Sequence, residues 1–200
     1  MLMRSAAIAA LLSTSVLAAN ASDTGRSDHV SPYAGEETRA IKSLSAQDVD
    51  DLLNGRGWGL AKAAELNGMP GPTHILEMRE AIDLTPDQAA KIEAIRQRMQ
   101  AEAIEVGTRL VDLETALDKA FASGTIGADG LRRSLAEIEA ARGELRFVHL
   151  AAHLETPDVL TPHQVATYNR LRGYSDAADP CANPPAGHDP AMWRKHNNCD

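Results

Sequence analysis

His149 and His153 stand four residues apart, and on a helix that spacing puts both imidazoles on one face. Two imidazoles so placed can reach a single metal ion. A second pair with the same spacing, His74 and Met78, lies upstream, and Glu102 falls between the two pairs. A His–Met pair, a carboxylate and a His–His pair form a mixed nitrogen, oxygen and sulfur donor set. It suits a divalent transition metal such as nickel, cobalt, zinc or copper. The competing reading makes His149 and His153 edge residues of an amphipathic helix. Further donors, Cys181, His188, Met192, His196 and Cys199, sit near the C-terminus. Cys181 and Cys199 are the only cysteines, and in an oxidising compartment they are expected to pair as a disulfide, which withdraws both thiolates from metal chemistry. No nucleophile elbow, His-Glu-x-x-His helix, phosphate loop or dinucleotide fingerprint is present. The expectation is a binding protein, not an enzyme, with no certain cofactor beyond such a metal ion.

The elements that must position these residues are helices, and two of them announce their starts. Leu84-Thr85-Pro86-Asp87-Gln88 and Leu160-Thr161-Pro162-His163-Gln164 are near copies of one phrase. Thr supplies an N-cap hydroxyl, Pro sits where no backbone N–H is needed, and Gln can reach back to the cap's own N–H. As caps, Thr85, Gln88, Thr161 and Gln164 are fully explained without any ligand. From the first box, residues 85–123 read as one long helix whose apolar stripe (Ile92, Ile95, Met99, Ala103, Val106, Leu110, Leu113, Leu117, Phe121) advances in threes and fours. Such a helix would be roughly 55 Å long. Gly124-Thr125-Ile126-Gly127 is a turn, and residues 128–154 form a second helix with the stripe Leu131, Leu135, Ile138, Ala141, Leu145, Val148, Ala152. Folded back antiparallel, Leu113 meets Ile138, Leu110 meets Ala141, Val106 meets Leu145 and Ala103 meets Val148. In this register Glu102 faces His149 and Arg98 faces His153. A third helix follows Thr161, and shorter ones precede Thr85, one within 46–67 and one over 73–82.

The ends read differently. Residues 1–21, with Met1–Arg4 as a short basic start, an apolar stretch and Ala19-Asn20-Ala21 as a cleavage site, are expected to be a secretory signal peptide, and no other stretch is long and apolar enough to span a membrane. Residues 22–45 read as a disordered leader, 46–174 as one helical domain, and 175–200 as an irregular tail closed by Cys181 and Cys199. Aromatic residues make up 4%, which favours long helices over a sheet, and a net charge of -8 argues against nucleic acid as a partner. The fold class is therefore all-α: a long antiparallel helical hairpin with short flanking helices and a disulfide-containing tail.

A signal peptide, an all-helical chain and two Leu-Thr-x-x-Gln boxes flanking a long hairpin resemble the Spy/CpxP family of periplasmic proteins, over about residues 73–174. The wider superfamily includes periplasmic heavy-metal sensor and resistance proteins. The resemblance implies hooked antiparallel helices that dimerise into a curved cradle. It implies ATP-independent holding of unfolded periplasmic proteins, or contact with an envelope-stress sensor. For the sensor-like branch it implies metal binding through His, Glu and Met side chains, a layout that His74, Met78, Glu102, His149 and His153 resemble. The chain departs from the chaperone pattern in being net acidic, although Arg96, Arg98, Arg109, Arg132, Arg133, Arg142 and Arg146 concentrate on the hairpin.

Overall fold

The computed structural model describes residues 29–175, 189–196 and 199. Backbone contacts divide the chain into residues 1–35 and 36–200; in the first unit, the described residues 29–35 form turns. Among the described residues of the second, seven α-helices follow one another: α1 Ala46–Leu53, α2 Lys62–Glu65, α3 Pro72–Glu77, α4 Pro86–Ala122, α5 Ala128–Glu155, α6 Pro162–Leu171 and α7 Pro190–His196. Among the described residues there is no strand, and no helix is long and apolar enough to cross a membrane.

The α4–α5 hairpin is the frame. Its seam is made by the residues the periodicity selects: Ala103, Val106, Leu110, Ile138, Ala141, Leu145 and Val148 are all buried in one cluster. Each large side chain so buried contributes on the order of 1.5–3 kcal/mol. Ion pairs between Arg98 and Glu155 and between Arg109 and Glu144 tie the two helices across the exposed edge, close to the expected register. Gly124, at φ +65°, makes the turn.

The hairpin is covered by the segment that precedes it and by α6, which follows it. Leu52 of α1, with Ile41 and Leu44, completes the first cluster; Ile75 of α3, Ile82 and Tyr168 of α6 close a second one around Ile92 and Ile95. The sequence reading of 22–45 as a disordered leader thus needs correction at its end, where two apolar side chains enter the core. The tail is also less irregular than expected, because Pro190–His196 is helical. Asp189 caps it by accepting from the Met192 N–H at 2.8 Å. Of the predicted Cys181–Cys199 bridge, Cys181 lies outside the described residues, as do the signal peptide and cleavage site.

Both predicted capping boxes are present, with Thr85 and Thr161 accepting from the N–H of Gln88 and Gln164 and each glutamine accepting from its own cap's N–H. Their function goes beyond the caps. The two glutamines meet: Gln88 Nε2 donates to Gln164 Oε1 at 2.8 Å, and Gln164 Nε2 donates to Gln88 Oε1 at 3.0 Å. The remaining amide protons go to the carbonyls of Val159 and Asp83. Each amide spends both donors, and each carbonyl accepts twice, so the pair welds the starts of α4 and α6 with nothing left unpaired. A double-mutant cycle with Gln88→Ala and Gln164→Ala, read by denaturant unfolding, is expected to show a coupling of about 1–2 kcal/mol. Independent caps would add without coupling.

Candidate functional site

Between the hairpin and the helices that cover it lies a cleft of about 580 Å³, a size typical of small-ligand sites. Its walls carry His149 and His153 from α5, Met99 and Arg96 from α4, Glu65 from α2, and Trp58 from the loop after α1. That loop is pinned by its tryptophan. Trp58 Nε1 donates to Asp48 at 2.8 Å, the Arg142 guanidinium lies 5.0 Å from the ring centroid, and the residue itself sits at φ +44°. Asp48 also receives the Ser45 N–H and hydroxyl; the bonds from Ser45 and Trp58 hold its carboxyl below the usual range.

Glu65 is the charged centre of the floor, and it is buried at 8% exposure. The Tyr168 hydroxyl donates to it at 2.5 Å and that of Tyr174 at 3.0 Å, Arg172 stands at 3.3 Å, and His74 Nδ1 at 3.4 Å. Burial pushes the carboxyl up, but the two phenol bonds and the nearby His74 and His153 outweigh it, and the group titrates below its ordinary value. Tyr168 shifts the other way: burial and the bond to Glu65 drive its hydroxyl strongly up, so it stays a donor. One carboxylate thereby joins α2, α3 and α6, and through His153 it stands 3.9 Å from α5.

The α5 histidines are core residues. His149 is 3% and His153 7% exposed. His153 Nδ1 lies 2.8 Å from the carbonyl of Met69, and its ring packs against Gly71, where an added Cβ would come within 2.4 Å of Nε2. His149 Nε2 is buried with no hydrogen-bond partner among the described residues. Burial, and secondarily the neighbouring His153, lower the His149 pKa to about 4, so the ring is neutral at ordinary pH.

Of the five residues selected as metal donors from sequence, the structure therefore brings His74, His149 and His153 to one cleft and separates the other two. Glu102 is exposed on α4, outside the lining, and Met78 packs into the second apolar cluster. Arg98 faces Glu155 instead of His153. The acid beside the histidines is Glu65, which the sequence reading did not single out. The available signal was a carboxylate inside the apolar run Ala63-Ala64-Glu65-Leu66, on a helix too short to show periodicity. Among the described residues no three His, Cys, Asp or Glu side chains are grouped so as to hold a metal ion. The hairpin arginines are largely neutralised, since Arg96, Arg98, Arg109, Arg132 and Arg142 all stand in ion pairs.

Both Leu-Thr-x-x-Gln boxes, the hairpin between them and the α6 closure fall within residues 72–172, over which the profile described as LTXXQ motif family protein matches, half of the chain. The chain belongs to the LTXXQ motif family. No curated protein and no solved structure matches it significantly. The family segment contains His74, His149, His153 and the paired glutamines, whereas Trp58 and Glu65 precede it. The cleft is thus built from residues inside the matched segment on one side and from the α1–α2 region that precedes it on the other.

Proposed function

We propose that this LTXXQ family protein is a Spy/CpxP-like binding protein of the periplasm that holds unfolded envelope proteins without a nucleotide. It is not an enzyme, and its unit is a homodimer. The observation that carries the reading is an unpartnered apolar strip on α5. Phe147 and Leu154 are 69% and 61% exposed, and they share a helix face with Ala136, Ala140, Gly143 and Ala151. Large apolar side chains aligned on one exposed face mark interaction surfaces. The strip runs beside the Arg98–Glu155 and Arg109–Glu144 pairs, so an apolar client segment would be flanked by charge of both signs.

The test is aggregation of a chemically denatured client diluted into stoichiometric mature protein without ATP. Suppression is expected, and Phe147→Asp with Leu154→Asp is expected to remove most of it. Both side chains are exposed, so the variant keeps its helical circular dichroism. Full suppression by the double variant would overturn the assignment of this face. Sedimentation of the same variant separates the alternatives: if the dimer dissociates, the strip is a subunit interface and clients bind elsewhere.

A further inference from the structure

Two nitrogens on α5 are prepared to donate lone pairs. A carbonyl oxygen only accepts, so the 2.8 Å contact from His153 Nδ1 to Met69 O places the proton on Nδ1 and leaves Nε2 bare in the neutral ring. A backbone carbonyl holding the remote ring nitrogen is the arrangement that orients a metal-ligating histidine. One turn earlier on the same face, His149 Nε2 is buried and has no hydrogen-bond partner among the described residues. Buried polar atoms without partners are rare, and this one stands beside a cleft. Met99 brings a thioether to the same cleft from α4.

The donors that a hard divalent ion needs are missing from this corner. The Glu65 carboxylate is occupied by Tyr168, Tyr174 and Arg172, and no three acidic, cysteine or histidine groups converge among the described residues. Two imidazoles and a thioether, with no free carboxylate, are a soft donor set. Such a set selects copper(I), which tolerates a low coordination number, over nickel(II), cobalt(II) or zinc(II). We propose that His149 Nε2 and His153 Nε2, with the sulfur of Met99, form a copper(I) site in the cleft. This site does not depend on the client-holding reading, because it faces the covering helices, and the α5 strip faces away from them.

Copper(I), supplied under argon as its acetonitrile complex to the full mature chain, tests it by thermal unfolding and by competition with a chromogenic copper(I) chelator. Copper(I) is expected to raise the melting midpoint, as any ligand of the folded state does. His149→Leu is expected to abolish that rise and to weaken binding by roughly 100-fold or more, because it removes a direct ligand and loss of an outer-shell partner alone costs about 10–100-fold. Without copper this variant melts at or above the parent, since an unpartnered buried polar atom has been replaced by an apolar group. Met99→Leu, a volume-conserving change, is expected to keep the fold and to weaken binding by roughly tenfold. An unchanged copper(I) affinity in both variants would overturn the site. A midpoint rise with zinc(II) equal to that with copper(I) would overturn the assignment of the metal.

Discussion

Taking the metal-free protein from pH 7 to pH 4 is expected to remove about 3 kcal/mol of stability through His149 alone. In the folded chain its pKa is lowered from 6.5 to about 4, first by burial and then by His153. An unfolded histidine takes up its proton near pH 6.5. Between those values the unfolded state binds more protons than the folded state, so stability falls as the pH falls through this window. A shift of that size, at about 1.4 kcal/mol per unit, yields the stated loss. The histidine is almost fully enclosed, so solvent screening takes little from it. Glu65 acts in a lower window. Its folded pKa is depressed below 4.5, so the stability it contributes is intact above that value and disappears as the pH drops through the folded one. Denaturant unfolding at pH 7, 5.5 and 4 separates the two: His149→Leu should flatten the curve between pH 6.5 and 4 and leave the acid limb. A variant with the parent's slope throughout would show that burial of His149 is not the cause.

Gly107→Ala is expected to destabilise the protein by about 1–3 kcal/mol, although alanine in a helix interior ordinarily gains about 1 kcal/mol over glycine. The reason is a backbone contact. A Cβ at position 107 would lie 2.3 Å from the carbonyl oxygen of Leu52 and 3.0 Å from its carbon. Neither atom can rotate away as a side-chain tip could. Alanine must therefore lift α1 off α4 and open the cluster around Leu52, Val106 and Leu110. Gly143→Ala on α5 is the matched control. Nothing lies within 4 Å of a Cβ there, so it should stabilise by about 0.4–1 kcal/mol. Thermal melts of the two single variants check the pair, and equal signs would refute the contact argument.

Local chemistry made much of this architecture legible in the sequence alone. A Thr, a Pro and a Gln within four residues fix a helix start because all the bonds involved lie within one turn. The steps of three and four through Ile92, Val106 and Leu110 specify a buried face because helix geometry sets which side chains share it. The closing turn at Gly124 and the pairing of Val106 with Leu145 follow from those two facts. The family assignment rests on the same local signals.

The tertiary structure decided everything that depends on which elements come together from far apart. The hairpin register could place Glu102 opposite His149, but it could not tell which side of the hairpin α1, α2 and α3 would cover. They cover the side of the histidines, so Glu102 stays in solvent and Glu65, from a four-residue helix with no periodicity to read, becomes the buried acid. The two capping glutamines are 76 positions apart, and only the docking of α6 against α4 turns two separate caps into one reciprocal amide pair. Burial, hydrogen-bond satisfaction and pKa are properties of surroundings, and for Glu65, His149 and Gln88 those surroundings are supplied by distant residues that no local pattern identifies.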